Sequence, residues 1–204
     1  LIDSPIVRAE PLRFSEDGVR EVARSVSIPL QHAWSFLVTY ANIDGWTPEA
    51  ERPPVSERPE LDRWLLSHLQ SIIRRVDVEM ERYRLDNVVP VVLHFIDDLT
   101  NWYIRLSRKR FWAAGDDAHD KACAYATLYE ALVTFSKVLA PFLPFLADAL
   151  YRGLVVEAGG EGPDSVHLCD WPTVDEAVID RDLEAAIAEV RRAVKLGRRL
   201  RERH

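Results

Sequence analysis

The chain has 204 residues, 48% of them hydrophobic, and a net charge of -7. That is the balance of an ordinary globular protein with enough length to bury a substantial core. The acidic total excludes a surface coated in positive charge for general nucleic-acid binding. It leaves room for a local basic patch, because salt screens charges beyond about 8 Å under physiological conditions.

The cysteines, Cys123 and Cys169, stand far apart. They form neither a disulfide framework nor a metal-ligand spacing, which points to a reducing cytoplasm. No basic-then-apolar leader opens the sequence. The most apolar window, residues 138–156, contains Pro141, Pro144, Asp148 and Arg152 and reads as core, not as a membrane span. A start at Leu1 without methionine and an unfinished helical pattern at the end suggest a piece of a longer protein.

Residues 1–14 have no helical period and two prolines, and are expected to be an extended lead-in. Ser15 is an N-cap candidate, with Glu16 and Asp17 placed to suit the helix dipole. A first helix is predicted to about Ala41, kinked or interrupted at Pro29. Residues 42–58 form a polar connector with Gly45, Pro48, Pro53 and Pro54, anchored by Trp46. Pro59 suits the first position of a second helix. Leu61, Leu65, Leu69, Ile72, Val76, Met80 and Tyr83 give it an apolar stripe through about Leu85.

A third helix is predicted from a cap at Asp86, with Pro90 in its first turn, to about Ala113–Gly115. At about 100° per residue, Val88, Val92, Ile96, Leu99, Tyr103 and Leu106 share one arc. Asp98, Asn101, Arg105, Arg108, Lys109 and Trp112 share the opposite arc. After a turn over 114–117, a fourth helix runs to Leu139, where Pro141 stops it. Pro144 opens a short fifth helix to about Leu154. Residues 157–164 (EAGGEGPD) are expected to be flexible, and Ser165 to Trp171 to be short and extended. A last helix begins at Asp175 or Asp180, aligns Leu183, Ile187, Val190, Val194 and Gly197, and ends in Arg191, Arg192, Lys195, Arg198, Arg199, Arg201 and Arg203. The predicted fold is all-α, a bundle of five or six helices.

Catalytic signals are absent: there is no phosphate loop, no H-E-x-x-H, and six scattered histidines. Asp97 and Asp98 point about 100° apart on a helix and cannot readily serve one bond as acid and base. Asp98 is instead expected to hold Arg105, two turns along on the same face. The basic stretch NWYIRLSRKRFW (101–112) has two readings. One is a solvated helix face. The other is nucleic-acid contact, since exposed aromatics beside Arg and Lys suit stacking on unpaired bases.

With that stretch on the third helix of a bundle, nearly the whole chain resembles the anticodon-binding domain of class Ia aminoacyl-tRNA synthetases, of the isoleucyl type. The motifs are SPIVRAEPLRFSEDGV (4–19), FLVTYANIDGW (36–46), LDRWLLSHL (61–69), FIDDLTNWYIRLSRKRFW (95–112), LAPFLPFLADALY (139–151) and SVHLCDWPTVDE (165–176). LDRWLLSHL is shared with the valyl and leucyl types; FIDDLTNWYIRLSRKRFW is the most specific. Cys169 and Thr100 are small departures from the family pattern.

The resemblance implies a domain order. Residues 1–14 would connect from a catalytic domain, 15–155 form the bundle, 156–175 a loop, and 176–204 open a basic C-terminal helix. It implies a cytoplasmic, monomeric parent enzyme that uses ATP and magnesium to join isoleucine to its tRNA, with no membrane or DNA partner. The chain lacks the HIGH-type motif, the KMSKS loop and an editing domain, so it would hold no cofactor itself. The tRNA-binding residues it suggests are Arg105, Arg108, Lys109, Arg110, Phe111, Trp112, Arg198 and Arg199. Two alternatives stand beside this reading: the same module from a valyl or leucyl enzyme, and a helical protein-interaction domain without an RNA role.

Overall fold

Ser15 opens the first helix by accepting a hydrogen bond from the Gly18 amide at 3.2 Å. The computed structural model describes residues 15–112 and 118–201. The expected lead-in at 1–14, the turn over 114–117 and the final cation Arg203 lie outside the described residues. Helix α1 (Glu16–Val22) passes through a π-helical turn (Ala23–Ser27) into α2 (Ile28–Asp44). Pro29 therefore sits just past the π-helical turn, in backbone that stays right-handed helical through Ser27 and Ile28. Gly45 ends α2 in the left-handed conformation, at φ 67°.

Helix α3 (Glu60–Glu81) is the spine, packed against α4 (Leu85–Asp97) and α6 (Ala118–Leu139), with α8 (Arg181–Arg201) along its outer side. Its stripe Leu65, Leu69, Ile73 and Val76 is buried. The predicted stripe stops short of its end: Tyr83 lies beyond the helix, 92% exposed and with φ 56°. Pro90 falls inside α4, past the first turn, with its ring on the exposed face.

The largest departure from the helical periodicity lies in the basic stretch. Asp98–Ile104 is a π-helical segment joining α4 to α5 (Arg105–Trp112). A π turn takes more residues than an α turn, so everything after it is rotated against the α-helical expectation. Leu106, expected in the core, is 52% exposed, while Ser107 and Phe111 are buried. Asp98, expected on the outer arc, is 1% exposed.

Helix α7 (Pro144–Tyr151) follows Pro141 and closes over α6. In the stretch expected to be flexible, residues 157–164 are exposed apart from Gly160, whose amide donates to the Val155 carbonyl at 2.8 Å. The segment Ser165 to Trp171 is not an extended strand; Val166–Leu168 curls into a 3-10 turn, with extended backbone at its flanks Ser165 and Cys169. The cause is Asp148, whose Oδ1 accepts from Ser165 Oγ at 2.6 Å and from the Val166 amide at 3.0 Å. These bonds lower the Asp148 pKa, Ser165 first, against a smaller opposing effect of burial. Both predicted caps are used at the last helix. Asp175 caps the 3-10 turn Glu176–Val178, and Asp180 accepts from the Leu183 amide of α8 at 2.9 Å.

The connector before α3 has a second anchor besides Trp46, which stacks on Tyr125 at 5.4 Å. Arg58, 5% exposed, donates to the Pro53 carbonyl at 2.8 Å and forms a fork with Glu130 at 2.7 and 3.0 Å. Among the described residues every regular element is helical.

Candidate nucleic-acid interface

Helix α8 crosses in front of the α4–π–α5 rod and encloses a cleft of about 840 Å³. One wall carries Asn101, Trp102 and Arg105; the other carries Arg192, Lys195, Arg198 and Arg199. Neither wall is basic by accident of composition alone. The π segment turns Asn101 and Arg105 toward α8, while α8 buries no side chain and keeps its cations outside. Arg105, Lys195, Arg198 and Arg199 have no ion-pair partner among the described residues. Arg192 has only Glu189, at 3.4 Å. Among the described residues the one carboxylate lining the cleft is Asp97, which faces Arg191 at 3.4 Å. These cations gather around one cleft on a chain whose total charge is negative.

Trp102 gives the cleft an aromatic floor. The Arg191 guanidinium lies over its ring, 5.5 Å from the centroid. Such an arrangement offers stacking planes and cations side by side, the combination that suits unpaired bases and their phosphates.

The eight residues expected to contact RNA separate into three groups. Arg105, Arg198 and Arg199 come together in the cleft although they are far apart in sequence. Arg108, Lys109 and Trp112 are exposed on other sides of α5. Arg108 lines a smaller hollow of about 310 Å³ with His32 and Phe36 of α2. The Trp112 indole donates to the Tyr40 hydroxyl at 2.6 Å, which leaves one ring face outward.

Arg110 and Phe111 are corrections. Phe111 is 1% exposed and packs edge-on against Phe36 and Tyr125, each at 4.9 Å. Arg110 forms a two-pronged pair with Asp62 of α3, at 2.7 Å in both arms, and also reaches Asp120 at 2.8 Å. Burial works against its charge, but the Asp62 hydrogen bonds and charge outweigh it and hold the guanidinium above the ordinary arginine range. The Tyr103 hydroxyl donates to the same Asp62 at 2.7 Å, and burial with that neighbouring charge pushes its pKa well up. Arg110 stands seven residues after Tyr103, about 20° away on a helical wheel, so its inward direction agrees with the buried arc that holds Tyr103.

Asp98 is the other correction, since it holds Arg191 of α8 and not Arg105. It lies 2.9 Å from His68 Nε2, 3.6 Å from His94 Nε2, and forms an ion pair with Arg191 Nη1. Trp102 belonged to the aromatic-basic stretch and Lys195 to the basic run at the end of the sequence, and the cleft brings them together. Only the crossing of α8 over Trp102 shows that they share a site.

Among the described residues no group of three or more His, Cys, Asp or Glu side chains could hold a metal ion. None of their helices is long and apolar enough to cross a membrane.

A family model described as the anticodon-binding domain of tRNA ligase matches residues 62–204. The chain belongs to that family. Proteins named isoleucine–tRNA ligase are similar across its full length: that of Chlamydia trachomatis serovar D is 47% identical over 204 residues, covering 100% of the chain and 19% of the relative. Those of Chlamydia muridarum and Chlamydia pneumoniae are 45% and 44% identical with the same coverage. The chain thus spans about a fifth of the length of these relatives. Among solved structures, a LeuRS of Agrobacterium radiobacter K84, crystallised as a ternary complex with tRNA and LeuAMS, matches with a TM-score of 0.52 and 17% identity. The match covers 83% of this chain and 18% of that one, and it supports the all-α anticodon-binding bundle as a fold.

Proposed function

We propose that the chain is the anticodon-binding domain of an isoleucine–tRNA ligase and that the cleft between the α4–α5 rod and α8 grips the anticodon stem-loop of isoleucine tRNA. The observation that carries this reading is the convergence of Arg105 with Lys195, Arg198 and Arg199 around Trp102. Unpaired anticodon bases stack on the guanidinium planes, that of Arg191 over Trp102 among them, each stacked base contributing about 1–3 kcal/mol. Arg105, Lys195, Arg198 and Arg199 take the phosphates, and Asn101, whose amide nitrogen donates to Asp97 at 2.7 Å, offers its amide oxygen to a base edge. Lys109, one turn beyond Arg105, extends the basic track toward the stem.

In the whole enzyme, ATP and magnesium would supply the energy for joining isoleucine to tRNA. The residues here contain no phosphate loop to hold them, so this domain contributes grip and specificity. Cytoplasmic location, a monomeric state and the division into a bundle at 15–155 and a basic helix from 176 belong to the same proposal.

The test is titration of the 204-residue chain with an RNA hairpin carrying the isoleucine anticodon. Arg199→Glu and Lys109→Glu should each weaken binding and flatten the log–log salt dependence, by about 0.7–0.9 unit for each phosphate left without its cation. Circular dichroism should be unchanged in both. Unaltered affinity in both variants would remove this face from the site. A hairpin with a valine anticodon, bound equally well, would contradict the isoleucine assignment.

A further inference from the structure

We propose that Asp98 is the positioning residue of the cleft: a buried carboxylate that draws α8 against the α4–π–α5 rod and so sets Arg198 and Arg199 opposite Arg105. The binding part of this proposal rests on the function proposed above; the docking part does not.

Helix α8 is held unusually. It contributes no buried side chain, so apolar burial, the ordinary means of seating a helix, is weak here. Leu183 and Ile187 are only half-buried, and Val190, Leu196 and Leu200 are 50%, 53% and 61% exposed. What remains is polar and comes in two places. At the start of α8, Ser67 and Ser71 of α3 donate to Glu184 at 2.5 and 2.7 Å, and Ser67 accepts from the Asp180 amide at 2.8 Å. Two turns further on, Arg191 meets Asp98. Past Arg191 only Val194 is half-buried before the described helix ends.

Asp98 is well placed for that task. It is 1% exposed, at the first position of the π segment, with His68 of α3 and His94 of α4 as its other neighbours. Neither Asp98 carboxylate oxygen takes a well-aligned hydrogen bond from these neighbours. Arg191 is therefore the permanent cation that offsets a carboxylate removed from water. The same guanidinium covers Trp102 and reaches Asp97 at 3.4 Å, so one side chain ties both the aromatic floor and the rim of the cleft to α8. Arg198 lies seven residues past Arg191, about 10 Å along the helix axis. Release at Asp98 lets that lever swing, and the cleft loses its spacing before it loses any cation.

The test uses the 204-residue chain with Asp98→Asn, which keeps the shape and removes the charge. Amide hydrogen exchange over residues 190–201 should accelerate by at least about tenfold, while residues 181–186 and α3 keep their protection. Affinity for the isoleucine anticodon hairpin should fall about tenfold, and adding Arg199→Ala to Asp98→Asn should cost little more, because the two act as one unit. Should Asp98→Asn fail to fold, Arg191→Lys keeps the cation, gives up the planar guanidinium and is expected to show the same pattern more weakly. Unchanged exchange over 190–201 would overturn the docking role. Faster exchange with fully additive binding losses would overturn the positioning role. If the unaltered chain does not bind the hairpin at all, the function proposal fails, and the exchange result alone decides whether Asp98 docks α8.

Discussion

Replacing Arg110 by alanine separates a structural arginine from an RNA-binding one. Asp62 is 0% exposed and accepts three hydrogen bonds at 2.7 Å, two from Arg110 and one from the Tyr103 hydroxyl. Removing Arg110 leaves an ionised, buried carboxylate with a single donor. Breaking a buried pair from one side costs about 3–5 kcal/mol. Domain stabilities are typically about 5–15 kcal/mol, so the variant should remain folded but with a large part of its margin gone. With a urea slope of about 1–3 kcal/mol/M, the midpoint should fall by more than about 1 M. Arg110→Lys keeps the charge and gives up the fork, and should fall between the two. Asp62→Leu combined with Arg110→Met should recover much of the loss, because neither charge is then buried alone. Urea unfolding followed by far-ultraviolet circular dichroism measures all four. In folded conditions the affinity of Arg110→Ala for the anticodon hairpin should match that of the unaltered chain. A stability loss below about 1 kcal/mol together with a collapse in RNA affinity would refute the reasoning and return Arg110 to the RNA surface.

Asp44 gives a pH prediction. Burial raises its pKa, but hydrogen bonds from Lys121 at 2.6 Å and Tyr125 at 2.5 Å outweigh that and lower it below the ordinary carboxylate value of 3.8. A depressed folded pKa contributes stability that is present above the unfolded value and is lost as pH falls through the folded one. Asp44→Asn should therefore lower the urea midpoint at neutral pH, and the difference should shrink in strong acid; a gap independent of pH would contradict this. Gly162→Ala should destabilise by about 1–3 kcal/mol, read by thermal unfolding. Its Cβ would sit 2.5 Å from the hydroxyl of Tyr151, which is 2% exposed and has no room to withdraw. An unchanged midpoint would show that the 157–164 loop yields freely.

The fold class and most boundaries could be read from local chemistry. Ser15, Pro59, Pro144 and Asp180 act through groups within one turn of themselves, so their residue types suffice. What escaped depends on geometry that periodicity assumes away. The π segment Asp98–Ile104 rotates α5, and a strict α-helical wheel then exchanges Leu106 with Ser107. Two other features are long-range pairings: Arg110 with Asp62 across 48 positions, and Arg191 with Asp97 across 94. Arg110 falls on the buried arc with Tyr103, but no local feature names Asp62 as its partner, and none near Arg191 names Asp97. For the same reason the basic stretch of α5 and the basic end of α8 looked like two surfaces, whereas the crossing of α8 makes Arg105, Arg198 and Arg199 one.

The central claim is that this cleft, and not the outer face of α5, receives the anticodon loop. Photo-cross-linking tests it most directly: an isoleucine anticodon hairpin with a photoreactive base in the loop is bound to the chain, irradiated, and the adducts are mapped by mass spectrometry. Adducts are expected on Asn101, Trp102, Lys195 or Arg199, reduced in Asp98→Asn. Adducts confined to Arg108, Trp112 and the His32–Phe36 hollow would contradict the claim.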